Sequence, residues 1–167
     1  MSAVQPRAVR RTVDDEERGP LASYAGFIVA YNAALAGALV TARVLGRELR
    51  VPTPGDIVLF GVATHKLSRL LAKDKVTAAL RVPFTEFEAK GGPAEVEERP
   101  RGHGLRRAVG ELVTCPYCLD QWVAAAFTAG SVFAPRASRL VASVFASVAL
   151  ADFLQLGYRA GQEALRG

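Results

Sequence analysis

Charge is missing from Tyr24 to Ala42: nineteen consecutive residues, YAGFIVAYNAALAGALVTA, hold no Lys, Arg, Asp or Glu. As a helix such a run is long enough to cross the hydrocarbon of a bilayer at ~1.5 Å per residue. Without water there, the backbone must satisfy itself internally, which imposes the helix whatever the single-residue propensities. Other absences narrow the function. No basic and aromatic pattern of a nucleic-acid reader is present, which excludes RNA and DNA as partners. No small-residue cleavage site follows the first apolar block, which starts too late and runs too long for a signal peptide. No internal repeat or pair of broken helices points to a transporter. The two histidines, His65 and His103, form no paired motif that would complete a four-ligand zinc site.

What is present is segregation. Half of the residues are apolar and 22% are charged, values a soluble domain also shows, but the charges crowd into residues 1 to 20, 43 to 50 and 73 to 111. A soluble helical bundle would carry a polar stripe along each helix instead. Two further apolar runs lie near the C-terminus: Leu119 to Pro135, charged only at Asp120, and Leu140 to Tyr158, charged only at Asp152. The short Pro135-Arg136 link makes them an antiparallel hairpin. A weaker run, Asp56 to Ala72, carries His65, Lys66 and Arg69. It opens like a helix, with Thr53 as a cap and Asp56 three residues on. The expectation is an all-α, multi-pass transmembrane helical bundle of about four crossings, the second marginal. Residues 1–20 would form a disordered cytoplasmic tail, and residues 21–160 a single membrane domain with a cytoplasmic loop over 73–114.

Fourteen Lys and Arg fall before Tyr24, within 73–114 or after Tyr158, against five in the other two links. Cytoplasmic segments retain positive charge, so both termini and the loop are expected inside the cell membrane, and the net charge of +5 reads as attraction to anionic lipid. Within the loop, Val76, Leu80, Phe84 and Phe87 recur around Pro83 like a broken amphipathic segment on the membrane surface. Lys90 to Gly104 should be flexible, and Leu105 to Val113 restores a helical stripe.

That stripe leads into Thr114-Cys115-Pro116-Tyr117-Cys118. The two-residue gap lets both sulfurs reach one metal ion or each other. Cys115, in a first helical turn capped by Thr114, would gain thiolate character from the helix terminus. Three readings fit: an inert pair of small side chains, a metal site in which His65 joins Cys115 and Cys118 around zinc, or a thiol-redox pair. The string also matches the active site of glutaredoxins, but the soluble framework those need is absent, so the match is set aside. No cofactor is expected beyond zinc.

Placed by depth, His65, Lys66 and Arg69 of the second crossing, Asp152 of the fourth and Asn32 of the first form a polar cluster in one leaflet, His65 and Arg69 roughly 6 to 12 Å in. Charge at such depth costs ~2.5 to 3.5 kcal/mol unless paired. Asp152 is therefore expected to pair with Arg69 or Lys66, as a functional group or as a structural clamp. Trp122 suits an interfacial belt, and Gly26, Gly37 and Gly130 suit close helix packing.

The run THKLSRLLAKDKVTAALRVPFTEFE, residues 64 to 88, and GELVTCPYCLDQWVA, residues 110 to 124, resemble the bacterial membrane family catalogued as domain of unknown function 1360. The resemblance covers about residues 24 to 158. It rests on His65-Lys66 before Arg69-Leu70, the Lys73-Asp74-Lys75-Val76-Thr77 stretch, Arg81 ahead of Pro83-Phe84-Thr85, and Cys115-Pro116-x-Cys118-Leu119 with Trp122. It implies a small multi-pass membrane protein without an assigned activity, some relatives being associated with sporulation. Asp120 stands where many relatives have glycine. The reading is of a non-enzymatic membrane component that binds lipid or an unknown protein partner, with a thiol or metal site at Cys115 and Cys118 as the rival.

Overall fold

The computed structural model describes residues 21–166, and the expected N-terminal tail lies outside them. The first helix, α1 (Leu21–Val44), is followed by α2 (Pro54–Lys73), a single turn α3 (Ala78–Arg81), strands β1 (Thr85–Lys90) and β2 (Val96–Pro100), α4 (Gly104–Thr114), α5 (Pro116–Phe133) and α6 (Pro135–Ala164). Helix α2 starts where Thr53 caps it. The Thr53 hydroxyl accepts the Asp56 N–H at 3.2 Å, while the Asp56 carboxylate accepts the Thr53 N–H at 3.1 Å. Both orphan donors are thereby satisfied. The Thr53 hydroxyl and N–H and the Arg139 guanidinium hold the Asp56 carboxyl below the usual carboxylate range.

Helices α2, α5 and α6 pack around Phe60, Ala63, Val123, Phe127 and Ala142. Phe60 stacks on Phe127 at 5.6 Å between ring centroids. The α5–α6 hairpin closes tightly: a Cβ on Gly130 would lie 2.9 Å from Ser138 Oγ, which itself donates to the Phe127 carbonyl at 3.1 Å. Gly26 and Gly37, by contrast, have nothing within 4 Å of a built Cβ, so they mediate no close packing within the chain. Helix α1 lies loosely alongside. Tyr31 meets Trp122 edge to face at 5.3 Å, and Tyr24 donates to Glu111.

Two expectations are corrected. The chain is not all-α, because residues 85–100 form an antiparallel hairpin, with Thr85 opposite Pro100, Lys90 opposite Val96 and a bulge between Phe87 and Ala89. Nor does it show four crossings. Among the described residues, two helices are long and apolar enough to cross a membrane by length and composition, Ala22–Val44 and Pro135–Ala164. Helix α2 breaks the pattern with His65, Lys66, Arg69 and Lys73 in its second half. Helix α5 has Asp120 and Gln121 near its start, leaving Trp122 to Phe133 as its apolar part, about 18 Å of helix against ~30 Å of hydrocarbon.

Candidate functional site

The C-terminal half of α2 exposes a column of cations, and the hairpin answers with a column of acids. Arg69 forks onto Glu95, its Nε 2.9 Å from Oε1 and its Nη2 2.8 Å from Oε2. Lys73 meets Glu97 at 2.7 Å, and Arg81 meets Glu98. The last pair is of a different kind, because the side chains of Arg81 and Glu98 are only 2% and 6% exposed. Every Arg81 nitrogen has a partner: Nε donates to Glu98, Nη1 to the Leu71 carbonyl at 2.7 Å and the Thr77 hydroxyl at 2.8 Å, and Nη2 to the Asp74 carbonyl at 3.0 Å. Carbonyls left unpaired at the end of α2 are thus satisfied by a side chain, and the buried charge is neutralised.

On the far side of the hairpin, Gly110 of α4 lets the backbone come close. A Cβ there would lie 2.5 Å from the Phe84 carbonyl oxygen and 3.0 Å from Pro100 Cβ. Arg106 adds two donations to the Pro83 carbonyl, at 2.8 and 2.6 Å. Residues 83–100 are therefore gripped between α2 and α4, and the flexible stretch expected over Lys90 to Gly104 is instead an ordered strand with its turn.

The expected polar cluster divides. Lys66 Nζ lies 2.6 Å from Asp152 Oδ2 across the α2–α6 contact, with His65 beside it against the Phe153 ring. Arg69 belongs to the hairpin instead. Asn32 donates to the Ile28 carbonyl of its own helix at 2.8 Å and joins neither group.

At the α4–α5 junction the cap is Cys115 itself, whose Sγ accepts the Cys118 N–H at 3.3 Å. Thr114 turns back to donate to the Gly110 carbonyl at 2.8 Å. The two sulfurs are 2.6 Å apart and both thiols are free, beyond the ~2.05 Å of a disulfide. Burial, together with the contact to Cys115, pushes the Cys118 thiol up to about 11, which keeps it protonated at neutral pH. Among the described residues, no three His, Cys, Asp or Glu side chains gather as a metal site, so the structure does not bring His65 to the cysteines.

Sequence reasoning missed the acids Glu95, Glu97 and Glu98, the role of Arg81, and a part-buried polar pair between α2 and α5, in which Ser68 donates to Asp120. Arg81, flanked by Leu80 and Val82, was the available signal: a charge inside an apolar stretch demands partners.

The family model "Protein of unknown function (DUF1360)" matches residues 59–158. The chain is similar to the "Sporulation protein YjcA" of Bacillus subtilis (strain 168), 31% identical over 102 residues that cover 59% of this chain and 86% of the relative. No solved structure matches.

Proposed function

Because the chain belongs to the DUF1360 family of proteins of unknown function, we propose a role from geometry: a non-enzymatic membrane component that α1 and α6 hold in lipid while the clamped hairpin head serves as a docking element for a protein partner. The observation that carries the reading is exposure of apolar surface. Only 6% and 11% of the apolar windows of α1 and α6 are buried inside the protein, and Ile28, Val29, Val40, Leu140, Leu150, Phe153 and Leu154 stand open. Apolar surface of this extent calls for lipid or another protein.

Both ends of the described chain approach the hairpin head, since Tyr24 bonds Glu111 and Asp152 pairs with Lys66. This end also holds most of the Lys and Arg, so by the positive-inside rule it faces the cytoplasm and anionic lipid. The test is fractionation of cells expressing the full chain. Retention in the membrane pellet after alkaline carbonate washing supports the reading, and recovery as a detergent-free monomer in the supernatant overturns it. The relative's name extends the proposal to sporulation: in a spore-forming host, deletion of the gene should lower the yield of heat-resistant spores.

The sulfur contact favours a second reading, a dithiol that a disulfide-bearing partner oxidises by thiol–disulfide exchange. Cys115 and Cys118 give up two protons and two electrons to become a disulfide, and the partner's disulfide becomes two thiols. Mass spectrometry after trapping with iodoacetamide separates the two. A Cys115–Cys118 disulfide in cells supports the second reading, and full alkylation of both thiols supports the first.

A further inference from the structure

Along one face of α2, Phe60, Thr64 and Ser68 follow one another at four-residue spacing. The ends of this row are fixed against α5, Phe60 on Phe127 and Ser68 on Asp120. Thr64 therefore faces α5 between them. It is 7% exposed, and its Oγ1 is buried with no hydrogen-bond partner. A buried hydroxyl without a partner is destabilising and calls for a water or an ion beside it.

One turn away, Asp120 is a carboxylate with no basic partner among the described residues. Lys66 is committed to Asp152 and Arg69 to Glu95. Ser68, only 1% exposed, has one hydroxyl proton, which lies towards Asp120 with the His65 carbonyl as a second acceptor at 3.1 Å, and no donor is directed at its oxygen among the described residues. One negative charge, two hydroxyl oxygens and no nitrogen or sulfur make a hard donor set. Residues four apart on a helix hold their Cβ atoms ~5–6 Å apart. An ion midway could then reach both hydroxyls at about 2.3–2.6 Å, the range calcium takes with oxygen and one that suits sodium, a cation of similar radius.

We infer that Thr64, Ser68 and Asp120 bind a single sodium ion between α2 and α5. The lone carboxylate matches a monovalent cation, because a divalent ion would leave a net positive charge behind. The site lies apart from the hairpin clamp and does not depend on the function proposed above.

The full chain, purified in detergent, is melted while NaCl replaces choline chloride at constant ionic strength, followed by the emission of Trp122, the chain's one tryptophan and two residues from Asp120. The melting temperature should rise saturably with sodium. Asp120→Asn should abolish the rise, and Thr64→Val, which keeps the shape and removes the hydroxyl, should move the midpoint to several-fold higher sodium. Identical melting in the two salts would show that water alone fills the site and overturn the inference, as would a full sodium response in Asp120→Asn. Should that variant fail to fold, Thr64→Val decides, and an unchanged midpoint overturns the assignment.

Discussion

Arg81 is the residue on which the head depends most. It joins the end of α2 and the link after it to β2 through four donations, with its side chain 2% exposed. Removing it leaves the buried Glu98 carboxylate and the Leu71 carbonyl unpaired, the Asp74 carbonyl keeping only the Thr77 hydroxyl at 3.1 Å, so Arg81→Met should cost about 3–5 kcal/mol. Arg81→Lys should recover only a part, because an ammonium lacks the planar fork that reaches Glu98, Leu71 and Asp74 together. Thermal unfolding in detergent reads both, and an Arg81→Lys variant as stable as wild type would refute the role of the fork. Glycines give a second contrast. Gly110→Ala drives a Cβ to 2.5 Å from the Phe84 carbonyl oxygen and should cost about 1–3 kcal/mol by overpacking. Gly37→Ala meets nothing within 4 Å and should be neutral or gain up to about 1 kcal/mol of helix propensity. Equal effects of the two substitutions in the same melting assay would contradict the account.

Elements are held by local caps at their ends and by distant charges along their faces, and the two behave differently. At the start of α2, Thr53→Ala should lower stability by about 0.5–2 kcal/mol. Because the folded Asp56 carboxyl lies below its ordinary value, its contribution is present above that value and is lost as pH falls through the depressed one. The difference in melting temperature between wild type and Asp56→Asn should therefore be open at pH 7 and close in acid below about pH 4. A difference that persists or widens there would contradict the cap. Along the face of α2, Arg69 and Glu95 are 47% and 20% exposed. A double-mutant cycle should return a coupling of only about 0.2–1 kcal/mol that shrinks in high salt, and a salt-independent coupling would place the pair in a drier setting than the structure shows. The two kinds of contact also explain what can be read in advance. The α2 cap is legible because Thr53 and Asp56 are three residues apart. The hairpin is not, because Glu95, Glu97 and Glu98 look like a solvated charge run until the cations 26, 24 and 17 positions earlier are known to face them.

For the whole molecule, the exposed apolar helices and the core-facing helices differ less in composition than in what surrounds them. The apolar runs Tyr24 to Ala42 and Leu140 to Tyr158 mark α1 and α6 in the sequence, but nothing in it sets them apart as the two outer helices. The apolar runs within α2 and α5 look alike in a linear scan, yet they pack on each other and on α6 around Phe60 and Phe127. The polar cluster was legible only at Lys66 and Asp152, since which of two nearby cations an acid meets depends on the crossing of helices that sequence does not give. One property follows from the assembly as a unit. The start of α1 at Tyr24 and the part of α6 beyond Asp152 lie at the same end as the hairpin, which concentrates basic residues there, and transfer of such an end across the bilayer is opposed. Single reporters Lys90→Cys and Glu163→Cys, each on a Cys115→Ser, Cys118→Ser background, should therefore resist a membrane-impermeant maleimide in intact cells, and both should react after permeabilisation. Labelling of one reporter alone in intact cells would separate the head from the C-terminal end and contradict the packing. Labelling of both would keep the shared end but reverse its orientation, leaving the basic residues of the head without the cytoplasmic, anionic surface that their charge favours.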